Sequence, residues 1–164
     1  MRAKMDSAEE TAAQLPCWLG PVRPFRLKGG ISNENFLVDD QGRKFVVKIN
    51  GDVPERGVWR TNDIVCNRAA AAGVAPEVHH SEAEAIVVAY VNGRNLNVAD
   101  VRDDGNLARI LTIVRRTHND LLAANLIDDG EHLWLIDWEH AGLTSPLFDL
   151  ANLSSNNVLS NSQE

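Results

Sequence analysis

The sequence predicts an α+β fold in two parts, and three observations carry that prediction. After Pro24, three short β-like runs, Phe25 to Lys28, Asn35 to Asp39 and Lys44 to Ile49, are separated by Gly29-Gly30 and by Asp40-Gln41-Gly42, the punctuation of an antiparallel meander. From Asn106 onward, Leu107, Ile110, Leu111 and Val114 recur at helical spacing. The 164 residues, 44% hydrophobic and 24% charged, suffice for one ordinary domain or a lean two-lobed fold and exclude a wholly disordered chain.

Taken in order, the first 20 residues show little periodicity and predict a short helix from Ser7 to Gln14 on a loose end. The three-stranded meander follows. A helix is then expected from Thr61, a suitable N-cap, through the alanine run Ala69 to Ala72, ending at Gly73 and Pro76. Two more strands fit Glu77 to His80 and Ala85 to Val91, the second stopping at Asn92-Gly93, so the first half holds five strands and one helix. In the second half, Asn106 is the expected N-cap of a helix reaching about Thr117. A loop from His118 to Ala124 leads into a hairpin, with strands near Asn125 to Ile127 and His132 to Ile136 flanking Asp128-Asp129-Gly130. Ser145 to Asn152 predicts a last short helix. Beyond it the Ser- and Asn-rich stretch from Ser154 to Glu164 predicts a frayed tail.

Composition narrows the function classes. The longest apolar run, Ala85 to Val91, has seven residues, far short of the roughly 20 of a membrane helix, and the N-terminus has no apolar signal core. A cytoplasmic protein with no membrane association is therefore expected. Cys17 and Cys66 match no metal-binding spacing and are expected as buried free thiols. The net charge is −7, but the last basic residue is Arg116, so residues 117–164 carry −8 and residues 1–116 carry +1. No basic stripe exists to neutralise phosphates, which argues against nucleic acid. Acids within apolar sequence, as in Leu133-Trp134-Leu135-Ile136-Asp137-Trp138-Glu139, instead predict a cationic partner: a metal ion or a positively charged substrate.

The most specific pattern is His118-Asn119-Asp120-Leu121-Leu122-Ala123-Ala124-Asn125, followed twelve residues later by Asp137. Moving a phosphoryl group from a nucleotide requires a carboxylate that takes the acceptor's proton and oxygen ligands for magnesium. Asp120 and Asn125 can share one tight loop, and the hairpin returns Asp137 beside it. An exposed loop with Asx caps and an ordinary hairpin would show the same spacing. In the first half, Gly29-Gly30-Ile31-Ser32-Asn33-Glu34-Asn35-Phe36 joins two strands and could cover phosphates, its glycines permitting close backbone approach. Most Gly-Gly hairpins bind nothing. Lys48, inside Phe45-Val46-Val47-Lys48-Ile49, costs desolvation unless an anion meets it. Its alternative is a place on the solvent face of the strand.

His118 to Asn125 together with Ile136 to Glu139 resembles the choline/ethanolamine kinase and aminoglycoside phosphotransferase superfamily, with its H-x-D-x-x-x-x-N loop and I-D-W/F-E strand end. The segment from Glu139 to Ala151 is similar to the choline kinase branch. The resemblance implies a protein-kinase-like two-lobed fold with a five-stranded antiparallel N-lobe. It puts the N-terminal nucleotide-binding lobe at residues 1–92 and a reduced C-terminal catalytic lobe at 93–164. It also implies an ATP- and magnesium-dependent phosphotransferase acting on the hydroxyl of a small amino alcohol of choline or ethanolamine type. Asp120 would be the catalytic base, with Asn125 and Asp137 as magnesium ligands and His118 as a structural member of the loop. Glu139 would help hold the metal or, with Asp120, shape the acceptor site, and Asp149 would order the loop from behind. Gly30, Ser32, Asn33, Asn35 and Lys48 would hold the nucleotide phosphates. Asp63 stands where relatives carry the glutamate that pairs with the lysine, and the backbone near Ala89 to Val91 would meet adenine.

One departure from the family pattern stands out. The helix ending Val114-Arg115-Arg116-Thr117-His118 runs directly into the H-N-D loop, where relatives insert several tens of largely helical residues, and the chain stops soon after Asn157. An internal deletion and a C-terminal truncation are therefore expected. They would strip partners from the helix bearing Ile110, Leu111, Ile113 and Val114 and from the one bearing Leu147, Leu150 and Leu153, leaving apolar faces that self-association would cover. A reading from a different class follows too: a catalytically inactive nucleotide-binding or interaction remnant.

Overall fold

The computed structural model describes residues 2–28, 33–50, 66–82, 84–114, 122–138, 146–157 and 159. The chain divides into two compact units, Met1–Asp63 with Glu77–Tyr90, and Ile64–Pro76 with Val91–Glu164. Among the described residues, no helix is long and apolar enough to cross a membrane.

The first unit is a helix, α1 (Arg2–Ala13), against a five-stranded antiparallel sheet of β1 (Phe25–Arg26), β2 (Asn33–Asp40), β3 (Arg43–Asn50), β4 (Val78–Glu82) and β5 (Ala85–Ala89), in the order β1-β2-β3-β5-β4. The expected five strands are all present. The β2–β3 hairpin is set by its turn: Gln41 and Gly42 have φ of 54° and 85°, and the Asp39 carboxylate accepts the Gly42 N–H at 2.8 Å. Two consecutive left-handed residues match the right-handed twist of the flanking strands. That turn pairs Asp40 with Arg43 and sets the register along both strands.

Strand alternation then sorts the side chains. Phe36, Val38, Phe45, Val47, Ile49, Ala85 and Val87 fall on one face and are buried with Ala8, Ala12 and Leu15, the last two holding α1 and its exit on the sheet. Truncating fully buried Phe36 to alanine would cost about 3–5 kcal/mol. Trp18 closes the edge of this core. Its indole N–H donates to the Ala12 carbonyl at 2.8 Å and its ring lies 5.7 Å from that of Phe45. The α1 helix begins at Arg2, five residues before the expected start, and burial of Ala8 and Ala12 seats it on the sheet. Cys17 is half-buried rather than buried, Cys66 is buried, and neither forms a disulfide.

In the second unit, residues 66–71 form α2, and the start expected at Thr61 lies outside the described residues. Its end has the two bonds of a Schellman cap: Val74 N–H to the Ala69 carbonyl at 3.1 Å and Gly73 N–H to that of Ala70 at 2.9 Å, with Gly73 at φ 69°. A three-stranded antiparallel sheet follows, β6 (Arg94–Asn95), β7 (Leu126–Asp128) and β8 (Leu133–Leu135). Its third strand, β6, was not anticipated. The helices are α3 (Val98–Val101), α4 (Asp104–Val114) and α5 (Pro146–Asn157).

Three expectations about these helices are corrected. Asn106 is not the N-cap of α4; Asp103 is, its carboxylate accepting the Asn106 N–H at 3.1 Å, while the Asn106 amide reaches back to the Asp100 carbonyl. The α5 helix runs to Asn157, beyond the expected Asn152, because Arg102 donates to the Asn157 carbonyl at 2.7 Å and so caps the helix C-terminus. The apolar faces are largely covered where they are described, with Leu111 half-buried. Ile110, Ile113 and Leu153 are buried, since α3, α4, α5 and β8 pack on one another. The side chains of Val114, Leu147 and Leu150 lie outside the described residues.

Candidate active site

The site residues read from the sequence fall in both units, and each group is described within its own unit. Gly30, Ser32, Asp63, His118, Asp120 and Glu139 lie outside the described residues, as does the side chain of Asp149.

In the first unit, Lys48 sits opposite Asn35 on β2 and opposite Ile86 on β5, so the three share the sheet face away from α1. Lys48 is half-buried, not laid out on an open solvent face. The Asn35 amide oxygen is buried with no hydrogen-bond partner. A buried acceptor left without a donor costs about 1–3 kcal/mol, so this position suits a polar group brought in from outside. Asn33 starts β2, paired with Asn50. The described residues on either side of Gly30 and Ser32 are held by antiparallel pairing of Phe25 with Leu37 and by the Leu27 N–H bonded to the Asn35 carbonyl at 2.8 Å. Near the expected adenine contact, two N–H groups are already in use. Ala89 donates to the Glu77 carbonyl at 2.8 Å and Tyr90 to the Lys44 carbonyl at 3.0 Å. The Val91 carbonyl, in the second unit, accepts the Gly93 N–H.

In the second unit, Asn125 and Asp137 are brought together. Asn125 ends a 3-10 turn, Ala123–Asn125, and its carbonyl accepts the Ile136 N–H at 2.9 Å, placing it beside the residue that precedes Asp137. Asp137 has φ 69°, one of two non-glycine residues with positive φ among those described. The other, Gln41, lies in a hairpin turn that requires it. Asp137 has no such excuse. A non-glycine residue held left-handed costs roughly 1–2 kcal/mol and persists only where its neighbours over-determine it. They do so here: Ile136 is tied to Asn125 on one side, and on the other buried Trp138 donates its indole N–H to the Leu135 carbonyl at 3.0 Å. Both candidate donors are hard oxygens, the chemistry magnesium selects. Among the described residues, no group of three or more His, Cys, Asp or Glu could hold a metal by itself, so the pair would need water or a nucleotide phosphate to complete a shell.

Two other acids of the acidic segment have local roles. Asp128 does meet a cation, but it is the chain's own: Arg109 on α4 grips it through two bonds of 2.9 Å. That guanidinium holds the Asp128 carboxyl below the usual carboxylate range. Asp129 closes the β7–β8 hairpin by accepting the Trp134 indole N–H and the backbone N–H groups of His132 and Glu131, which together lower its pKa to about 2. The sequence does not reveal the support that Asn95 on β6 gives the turn at Ala123–Asn125, its amide donating to the Ala124 carbonyl. Nothing in a two-residue strand announces such a bond.

Comparison with solved structures places this architecture. A choline/ethanolamine kinase family protein from Mesorhizobium loti superposes with a TM-score of 0.73 at 23% identity, over 97% of this chain and 72% of that one. The chain has the choline/ethanolamine kinase fold. Choline kinase LicA from Streptococcus pneumoniae gives a TM-score of 0.68 at 16% identity, over 99% of this chain and 78% of its own. A LicA structure in complex with AMP gives 0.73 at 17% identity, over 97% and 76%. In sequence, Protein LicA of Haemophilus influenzae is 46% identical over 41 residues, 25% of this chain and 15% of that protein's length. No family model matches.

Proposed function

We propose that the chain is an ATP- and magnesium-dependent phosphotransferase of the choline/ethanolamine kinase family, acting on the hydroxyl of a small amino alcohol. The observation that carries this reading is Asp137, held in a left-handed backbone beside Asn125. Backbone strain of that kind clusters at active sites and ligand clamps. The fold shared with choline/ethanolamine kinases, the AMP held by one such neighbour and the short stretch similar to LicA support it.

In this reading Asn125 and Asp137 hold magnesium, which when bound neutralises charge on the transferred phosphoryl group. Lys48 would bind nucleotide phosphate, and Gly30, Ser32, Asn33 and Asn35 would help hold it. Asp63 would orient Lys48, and Ala89 and Val91 would flank the adenine. Asp120 holds the acceptor hydroxyl and takes its proton, while Glu139 offers a second anionic group to a cationic acceptor. The lobes would be residues 1–92 and 93–164.

The test is ATP consumption by the purified chain with magnesium and choline, ethanolamine or no acceptor. Acceptor-dependent release of ADP is expected, abolished by Asp120→Asn. Nucleotide binding without turnover on any acceptor would instead assign the inactive remnant.

A further inference from the structure

Resting on the phosphotransferase reading, we infer that Asn95 is a positioning residue for the metal site, acting through the backbone of Asn125. The two peptide groups that flank the Asn125 Cα are both pinned. The peptide before it has its carbonyl, that of Ala124, held by the Asn95 amide, and its N–H donates to the Leu122 carbonyl at 2.9 Å. The peptide after it has its carbonyl held by the Ile136 N–H at 2.9 Å. With both peptide planes set, the direction of the Cα–Cβ bond of Asn125 is set as well. Only side-chain rotation remains free. The Ile136 bond carries the same constraint to the residue before left-handed Asp137.

The strand that supplies Asn95 is built to reach this loop. It has two residues, pairs Arg94 with Asp128 and Asn95 with Ile127, and continues with the Leu96 N–H on the Leu126 carbonyl at 2.8 Å. It is entered from Gly93, where an added Cβ would lie 2.5 Å from the Asp128 carbonyl oxygen and 2.7 Å from Ile127. Only glycine permits that approach. The backbone pairing holds the strand without the Asn95 side chain, which is exposed and packs no core. Its bond therefore tunes the loop rather than maintaining the fold. Partners that orient metal ligands from outside the coordination shell are typically worth about 10–100-fold in metal affinity.

The experiment is calorimetric titration of Mn²⁺ into the protein saturated with ADP, beside ADP binding in EDTA and thermal melting. The variants are Asn95→Asp, which keeps the shape but replaces the donor by an acceptor, Asn95→Ala and Asp137→Asn. Both Asn95 variants should bind Mn²⁺ about 10–100-fold more weakly, with metal-free ADP affinity and melting temperature unchanged. Asp137→Asn should weaken Mn²⁺ at least as much. If the Asn95 variants bind Mn²⁺ like the parent while Asp137→Asn does not, the positioning role is wrong and the phosphotransferase reading stands. If they lose ADP binding and thermal stability together, the role is structural and the inference falls. If Asp137→Asn binds Mn²⁺ like the parent, the metal site itself is wrong and both readings fall.

Discussion

Replacing Asp137 by glycine and by alanine separates what its backbone costs from what its carboxylate does. Both variants lose the carboxylate and every interaction it makes, so the difference between them reports the backbone at φ 69°. Alanine held left-handed costs roughly 1–2 kcal/mol. Glycine escapes that cost but gives back about 0.5–1 kcal/mol of chain entropy on folding. The glycine variant should therefore be more stable than the alanine variant by up to about 1.5 kcal/mol, which for a chain of this size is up to about 6 °C in melting temperature. The reporter is thermal unfolding followed by fluorescence, with buried Trp138 adjacent to the substitution. Neither variant should show magnesium-dependent nucleotide binding. An alanine variant that melts at or above the glycine variant would refute the claim that this position is held left-handed.

Further substitutions probe other parts of the argument. Gly93→Ala should lower stability by about 1–3 kcal/mol, the usual cost of overpacking, because the atom its Cβ meets first is the backbone oxygen of Asp128, which cannot swing aside; a melting curve like the parent's would show that β6 does not approach β7 so closely. Asp129 has its folded pKa lowered from 3.8 to about 2, so its contribution is present above pH 3.8 and is lost as the pH falls toward 2. Asp129→Asn should flatten the melting temperature over that window, and an unchanged acid profile would deny the carboxylate its role in the turn. Asp120→Asn should reduce turnover about 10²–10⁴-fold while sparing nucleotide affinity, whereas Lys48→Ala should weaken nucleotide binding itself. Equal small effects from the two would point to a contaminating kinase.

Much of the first unit was legible in the sequence because its code is short-range. Asp39 to Gly42 supplies both left-handed residues and the carboxylate that caps them, and strict alternation on either side sends Phe36, Val38, Phe45 and Val47 to one face. Where order depends on a partner far along the chain, the reading slipped. The α5 helix outruns its own Ser- and Asn-rich sequence because Arg102, 55 residues earlier, caps its last turn. The capping box of α3, with Asn97 accepting from Ala99 and Asp100 and the Asp100 carboxylate returning to the Asn97 N–H, was present in the sequence but framed only four helical residues, too few to show a period.

The sequence by itself determined the α+β class, the five antiparallel strands, the hairpin between Asn125 and Asp137 and the residue types a phosphotransferase would need. Tertiary structure alone decided that Asp128 is spent on Arg109, that Ile110, Ile113 and Leu153 are covered, that Asp137 is held left-handed and that Asn95 grips the loop before Asn125. The physical reason is range. Turn chemistry, alternation and caps act over a few residues and are written where they act. An ion pair between residues 19 apart or a side chain on a carbonyl 29 residues away exists only once the chain has closed on itself, and no local pattern encodes the partner.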